Sequence, residues 1–461
     1  MKSHFEPNLI RAYDVNGPRY TSYPTANLFA DDLPASALDA ALEQLPEDAP
    51  LSLYLHVPFC ATVCYYCACN KIITNNRKHA GSYLARLYRE MEMIQPGLPP
   101  GHRVEQLHFG GGTPTYLTDE QFAEVFEQLA RNFNLLGAAE RDFSIEIDPR
   151  TVDPARIAFL TGLGINRMSL GIQDFDPNVQ LAVNRLQSEA DTAAIIDAAR
   201  ANGVKSLSVD LIYGLPQQNL KRFQRTLDRI IHLSPDRISL YSYAHLPARF
   251  KTQRQIKDEQ LPNAGMKLML LQLAVETLSA AGYVHVGMDH FAKPDDELVL
   301  AQKHGGLHRN FQGYTTHGHC DLIGLGISAI SSIGELYCQN VKTLDEYLAA
   351  VDADQHPVER GLLLTEDDRM VRALIGNLMC HYELNITEFE QSWGVDLKKS
   401  FPEAWPRLES MAADGLVRLP SNRDAEPKLR VTLEGRYLIR NVAMAFDRYL
   451  PPQTTGFSKA I

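Results

Sequence analysis

Six short segments between residues 51 and 243 share one pattern: apolar residues at every second position and polar residues between them. They run from Leu51 to Pro58, Val104 to Phe109, Phe143 to Asp148, Asn166 to Gln173, Ser206 to Tyr213 and Arg237 to Tyr243. Strand side chains alternate between faces. In the first segment Leu51, Leu53, Leu55 and Val57 therefore share one face, and Ser52, Tyr54 and His56 share the other. The same split sets Phe143, Ile145 and Ile147 against Ser144, Glu146 and Asp148. It sets Met168, Leu170 and Ile172 against Arg167, Ser169, Gly171 and Gln173, and Leu207, Val209 and Leu211 against Ser206, Ser208 and Asp210. Helix-length connections between the segments imply βα units and a parallel sheet.

A parallel sheet covered on both faces reads as nearly continuous apolar runs, and a closed eight-stranded barrel fills its interior with branched aliphatics. A consistently polar second face fits neither. The expected class is α/β: a curved, incomplete (βα)6 parallel barrel, apolar against its outer helices and polar towards a ligand-sized cavity. A half-exposed mixed sheet is the plainer alternative.

After about residue 250 the pattern loosens into a basic helix-like stretch around Lys251 to Lys257, a strand-like Tyr283 to Met288 and a Gly-rich passage from His304 to Gly334. From Gly361 the order is helix, helix, Gly415-Leu-Val-Arg-Leu, a polar turn, Leu429-Arg-Val-Thr and a final helix over Leu433 to Tyr449. That order predicts a small helical, winged-helix-like domain with a two-stranded wing. The expected divisions are 1–45 as an N-terminal arm, 46–300 as the partial barrel, 301–360 as its extension and 361–461 as the C-terminal domain.

The 461 residues are 45% hydrophobic and 22% charged, enough to bury a sizeable core. A net charge of -11 argues against nucleic acid as a partner. No apolar run reaches the roughly 18 residues a membrane span needs, and Met1 to Asp14 carries charges and a Pro where a signal peptide would be apolar, so the expected compartment is the cytosol.

Four of the seven cysteines, Cys60, Cys64, Cys67 and Cys69, fall in the run LHVPFCATVCYYCACN at the end of the first strand. Spacings of three and two let three thiolates reach three corners of one iron–sulfur cubane. A structural zinc site would pair two cysteine knuckles across a longer gap, and no second knuckle follows. Three ligands leave one iron of a 4Fe-4S cluster open, a position suited to an amino-acid chelate.

C-x-x-x-C-x-x-C with Tyr66 before the third cysteine resembles the radical S-adenosylmethionine (SAM) superfamily. The fourth cysteine with Asn70, together with GGGTPTYL, IEIDPR, GIQDF, DLIYGLP, YAHLP, MDHFA, HRNFQGYTT and the early GPRYTSYP, is similar to one family within it, the oxygen-independent coproporphyrinogen III oxidases. The likeness covers essentially the whole chain and implies a barrel of radical SAM type, with the N-terminal arm folded over the site.

By that resemblance Cys60, Cys64 and Cys67 hold one 4Fe-4S cluster whose unique iron is chelated by SAM, and two SAM molecules are bound. The first would take Tyr54, Tyr66, Gly111, Glu146 and Ile330, and the second Gly112, Thr113, Gln173, Arg185, Asp210 and Ala244. Cys69, too close to Cys67 to share the cluster, is implied in catalysis together with Tyr54. Gly110 to Pro114 resembles the superfamily's contact to the SAM amino group; read alone it is a turn in which missing Cβ atoms allow close approach. Glu146, Gln173 and Asp210 share the polar phase of successive strands, where core salt bridges are the alternative. Gly324-x-Gly326-x-x-Ala329 matches a dinucleotide fingerprint without the βαβ context that would give it meaning.

The implied reaction is anaerobic oxidative decarboxylation of two propionates of coproporphyrinogen III to vinyl groups, giving protoporphyrinogen IX, by a 5'-deoxyadenosyl radical. Arg19, Lys251, Arg254, Lys257 and Arg309 are candidate propionate partners, although each could be solvated surface charge. The resemblance further implies a low-potential electron donor such as a flavodoxin or ferredoxin, a terminal electron acceptor the sequence does not name, and a monomer. Two rivals are a heme-binding chaperone, whose family carries Phe in place of the fourth Cys and an H-N-x-x-Y-W motif, and a radical SAM tetrapyrrole methyltransferase. Here Cys69-Asn70 and His308 to Tyr314 without the Trp speak against the first, and the match along the N-terminal half against the second.

Overall fold

In the computed structural model of the protein, which describes residues 7–421 and 426–450, the six alternating segments are strands: Pro50–Val57 (β1), Arg103–Gly111 (β2), Asp142–Ile147 (β3), Arg167–Gln173 (β4), Ser206–Tyr213 (β5) and Arg237–Ser242 (β6). Each pairs in parallel with the next. Between them run helices Lys78–Ile94 (α1), Asp119–Asn132 (α2), Pro154–Gly162 (α3), Glu189–Ala201 (α4) and Leu220–Leu233 (α5). Helix α2 starts on a capping box between Thr118 and Gln121, while Asp153, Ser188 and Asn219 cap α3, α4 and α5 through their side chains. The apolar strand phase is closed by these helices, as where Phe122 of α2 meets Phe109 edge-on. Each such side chain contributes about 1.5–3 kcal/mol on burial.

Burial follows the predicted phase. Phe143, Ile145 and Ile147 are buried while Ser144 and Glu146 are half-buried, and β4 and β5 repeat this with Ser169, Gln173, Ser208 and Asp210. On β1 the polar phase is mixed: Tyr54 is partly open, whereas Ser52 and His56 are buried.

The compact unit holding these strands comprises residues 29–267 and 319–363. Its second segment supplies Asp321–Leu325 (β7), Ile330–Ile333 (β8), Leu336–Asn340 (β9) and Val358–Leu363 (β10), with helix Leu344–Asp352 (α6) between the last two. Strand β7 lies parallel to β1, and the remaining three add antiparallel. The order within this unit is β10-β9-β8-β7-β1-β2-β3-β4-β5-β6. The expected incomplete parallel barrel is therefore widened by a seventh parallel strand, drawn from the passage the sequence left loose. The unit also cuts the chain elsewhere than at the boundaries expected for the barrel and its extension, because residues 321–325 pair with the first strand and the strands up to Leu363 add on to them one by one.

The other unit comprises residues 1–28, 268–318 and 364–461. Val286, Ala292, Leu298, Val299, Leu307, Tyr314 and Cys380 form a core within it. Helix Glu366–His381 leads into a three-stranded sheet in which Lys428–Val431 lies between Glu383–Asn385 and Val417–Arg418. The wing thus has three strands where two were expected, and the polar turn at 422–425 lies outside the described residues. The single helix expected over Leu433 to Tyr449 is instead a 3-10 turn, Gly435–Leu438, followed by Ile439–Met444. Here the buried Arg440 is anchored to the carbonyls of Gly17 and Pro18, and Asn441 to that of Tyr13. In the first unit, the helix-like Lys251 to Lys257 is a 3-10 turn, Lys251–Gln255, with a second at Asp258–Gln260. No helix among the described residues is long and apolar enough to cross a membrane.

Candidate active site

Strand β1 delivers the chain into the cysteine loop. Phe59–Cys60 pairs in parallel with Ile72–Ile73, so the loop leaves and returns at one place. Its backbone is fastened by neighbours from across the sheet. Tyr65 N–H donates to Val183 O at 3.0 Å, and Asn184 Nδ2 donates to Val63 O at 2.8 Å. Gln253 Nε2 reaches Tyr66 O at 3.0 Å and Thr252 Oγ1 reaches Cys67 O at 3.2 Å. All four thiols are free; Cys60 and Cys64 are buried, Cys67 half-buried and Cys69 exposed.

Each buried sulfur has a polar partner. Cys60 Sγ lies 3.1 Å from Thr113 Oγ1, and burial pushes this thiol up to about 11. Cys64 Sγ receives two guanidinium donors, Arg150 Nη2 and Arg185 Nη1, each at 3.4 Å. Both arginines also hold Asp148, at 2.7 and 2.9 Å. Burial works against charge on Asp148, but Arg185 and Arg150 outweigh it and hold the carboxyl below its usual range. Cys67 and Cys69 share a hydrogen bond that favours the thiolate on Cys67 and the thiol on Cys69. A loop of thiols supplied with paired cations suits an anionic cluster bound through Cys60, Cys64 and Cys67.

Beside the loop, the ends of β1, β2 and β3 interlock. His56 Nε2 faces Asn70 O at 3.0 Å, so this nitrogen carries the proton and Nδ1 accepts from Tyr54 O–H, also at 3.0 Å. Burial lowers the His56 pKa and keeps the ring neutral. Tyr54 stacks on His108 at 5.8 Å, and His108 Nε2 lies 3.4 Å from Glu146 Oε1. The other Glu146 oxygen accepts from Gly111 N–H at 3.3 Å. Gly111 sits at φ +114°, and a Cβ there would meet the His56 ring at 2.8 Å; one at Gly112 would meet Pro58 O at 2.5 Å.

Farther along the sheet, Gln173 closes β4 at φ +69° beside a register shift, and its buried Oε1 has no hydrogen-bond partner among the described residues. Asp210 accepts from Ser169 Oγ at 3.4 Å, and burial, then the charge of Glu146, pushes it up to about 7. Ala244 follows β6 and is exposed. Tyr66 packs against Val179, Ile212 and Tyr243. Ile330 opens β8 after the turn at 326–329, tight enough that a Cβ on Gly324 of β7 would meet Ile330 O at 2.5 Å.

Of the expected SAM-contacting residues, Gly111, Glu146 and Gln173 lie within the last two residues of parallel strands, and Gly112, Thr113 and Ala244 follow such strands within two residues. Tyr54 and Asp210 lie three residues inside β1 and β5, Tyr66 and Arg185 stand in the segments that follow β1 and β4, and Ile330 opens β8. The C-terminal strand ends are where open α/β sheets bind ligands. The orphaned Gln173 oxygen, the glycine strip and the half-exposed acids are what a polar, nucleoside-bearing group requires. Arg185 is more committed than expected: Asp148, Cys64 and Gly171 O take both its terminal nitrogens, and its Nε has no partner among the described residues.

The candidate propionate cations divide. Arg254 donates to Pro247 O at 3.1 Å and, with Lys257, lines an open recess that includes His245 and Asp258; Lys251 is exposed. In the other unit Arg19 pairs with Asp289, while Arg309 donates to Tyr20 O at 3.2 Å and lies over the Tyr314 ring.

Sequence reasoning missed the roles of His56, His108 and the Asp148–Arg150 pair. The polar phase already held His56, and the Asp-Pro-Arg at the end of β3 was the available signal for the pair. It also missed a buried truss. Glu90 of α1 accepts from Gly326 N–H at 2.8 Å, Tyr347 O–H at 2.6 Å and Asn340 Nδ2 at 2.7 Å. Nearby, Tyr83 O–H donates to His56 O at 2.6 Å and accepts from Ile327 N–H at 3.3 Å.

Two family models match the chain: one described as Radical SAM superfamily over residues 54–230, and one described as HemN C-terminal domain over residues 364–438. The chain is 52% identical over 448 residues to the oxygen-independent coproporphyrinogen III oxidase of Pseudomonas aeruginosa, covering 97% of this chain and 96% of that protein. It is 46% identical over 442 residues to the Escherichia coli K12 protein of the same name, covering 96% and 95%. Among solved structures, coproporphyrinogen III oxidase (HemN) from Escherichia coli, described as a Radical SAM enzyme, superposes with a TM-score of 0.91 at 44% identity over 97% of this chain and 99% of that one.

Proposed function

The chain belongs to the oxygen-independent coproporphyrinogen III oxidases, radical SAM enzymes of heme biosynthesis, and from that premise we propose how its residues share the work. It is an oxidoreductase that converts two propionates of coproporphyrinogen III to vinyl groups and yields protoporphyrinogen IX. The chaperone and methyltransferase readings fall with this. The cluster and SAM, once bound, would supply the one-electron chemistry by which each propionate loses one CO2 and two hydrogens to become a vinyl group.

The chain's own part is holding, orienting and shielding. Cys60, Cys64 and Cys67 hold the cluster, and Arg150 and Arg185 stabilise negative charge at Cys64. One SAM lies against Tyr54, Tyr66, Gly111, Glu146 and Ile330. Glu146 is suited to its amino or ribose groups because Gly111 N–H fixes the carboxylate while half of the side chain stays open. A second SAM lies against Gly112, Thr113, Gln173, Arg185, Asp210 and Ala244, with the Gln173 oxygen as a ready acceptor. Cys69 and Tyr54 face the reacting groups: the first offers an exposed thiol, and the second a phenol held by the neutral His56. A flavodoxin- or ferredoxin-like donor supplies the electron, a separate acceptor removes the last one, and the enzyme works as a monomer.

The observation that carries this reading is the cysteine loop, with two arginines aimed at one sulfur, beside strand ends lined by glycines and unspent polar groups. Anaerobic incubation of iron-reconstituted protein with SAM, a reductant, cell extract as acceptor source and coproporphyrinogen III tests it by product mass. Two successive losses, each of one CO2 and two hydrogens, are expected, and Cys64→Ala abolishes both. SAM cleavage with unchanged tetrapyrrole mass would refute the substrate assignment.

A further inference from the structure

The parallel strands have a second end, and side chains of metal-ligating type meet there. Strands β1 and β2 pair Leu51 with Val104 and Ser52 with Gln106, so Glu105 is the extra residue of a bulge. Bulges re-aim side chains, and this one turns Glu105 towards His319 and Cys320. Glu105 Oε2 lies 2.8 Å from His319 Nε2 and 3.8 Å from Cys320 Sγ. His319 and Cys320 immediately precede β7, whose first residue pairs with Leu51 from the opposite side of β1. A carboxylate, an imidazole and a thiol from the two strands flanking β1 thus converge beside its first residues.

The three ligand atoms lie within 4.8 Å of one another. Metal–ligand bonds of about 2.0–2.3 Å give a tetrahedron with edges of roughly 3.3–3.8 Å. The Cys320–Glu105 separation already matches such an edge, and the exposed His319 needs only a small outward shift to reach one. Glu105 Oε1 lies 4.0 Å from Arg103 Nη2. Thiolate with imidazole disfavours magnesium and calcium, and with one carboxylate it suits zinc. The eight residues of β1, at about 3.3 Å each, put this place about 26 Å from the cysteine loop.

We propose that Glu105, His319 and Cys320 supply three of the four ligands of a Zn2+ that clips β2 to β7 across the start of β1. The end of the sheet favours a structural role, since chemistry in parallel βα folds sits at the C-terminal strand ends. The site gives the late-joining strand β7 a fixed attachment beside β1.

Zinc and iron counted together test this. Holoenzyme carrying about four irons per chain is exposed to zinc chloride, desalted and analysed for both metals, with the thermal midpoint recorded. The expected result is about one zinc per chain and a raised midpoint. Cys320→Ala and His319→Ala should each cut zinc by at least about tenfold, the lower bound for losing a group that merely orients a ligand, with iron unchanged. Because His319 is exposed, its variant keeps the fold even if the cysteine variant does not. Holoenzyme with full iron but no zinc, or zinc that persists in His319→Ala, would overturn the proposal.

Discussion

Glu90 shows how much one side chain can carry without touching a ligand. Its oxygens accept three hydrogen bonds, and all three donors come from residues that follow β7. Burial pushes the carboxyl from 4.5 up to about 7. The folded state therefore holds a proton that the unfolded chain has released, and stability falls as pH rises between about 4.5 and about 7. The size is on the order of 3 kcal/mol. Glu90→Gln removes this slope and exchanges one carboxyl oxygen for an NH2 group, at a cost of about 1–3 kcal/mol. The gap in melting temperature between wild type and variant should be wider near pH 5 than near pH 8; an equal gap at both would remove Glu90 from the account. Nothing in the sequence singles this residue out, because it stands beside Arg89 and near Glu92 in what reads as a charged helix face. Glu146, Gln173 and Asp210 were legible for the opposite reason: strand alternation assigns polar residues to a face, and acids on that face need a purpose.

The Gly110–Gly112 strip works at the scale of the element. Gly112 N–H donates to Val57 O and Thr113 N–H to Phe59 O, which lays the end of β2 against the start of the cysteine loop and brings Thr113 to Cys60. In Gly112→Ala the new methyl meets backbone oxygens that cannot yield, Pro58 O at 2.5 Å and Phe59 O at 3.0 Å. The strip must lift, at about 1–3 kcal/mol, and iron retained after desalting should drop. Full iron retention with unchanged SAM cleavage would mean the contact is dispensable. Strands β3 to β5 were the most legible because one face of each is partly open, so the alternation survives in the sequence. Strands β7 and β9 were not, since nearly every residue of Asp321–Leu325 and all of Leu336–Asn340 is buried and the period-two signal disappears. The break in the expected last helix was hidden too, because it depends on Arg440 and Asn441 binding carbonyls more than 400 residues earlier.

At the scale of the whole molecule, the unit that holds the C-terminal residues is assembled from three stretches of chain. Gln302 Nε2 bonds both Val286 O and Cys380 O, Tyr314 O–H donates to Met379 O, and Tyr382 O–H donates to Val286 O. A chain ending at Leu363 therefore loses the partners of residues 268–318 along with the C-terminal residues. Limited proteolysis read by mass should find new cleavage within 268–318 in that shortened protein; an unchanged pattern there would show that the segment stands alone. The pairing of β1 with β7 also sets a clock. Asp321 follows Leu51 by roughly 270 residues, and at about 5–20 residues per second the ribosome needs roughly a quarter of a minute to a minute to make them. Throughout that interval the cysteine-bearing strand has its downstream neighbours on one side only, so the sheet beside the thiols gains its second flank only after residues 321–325 have been made.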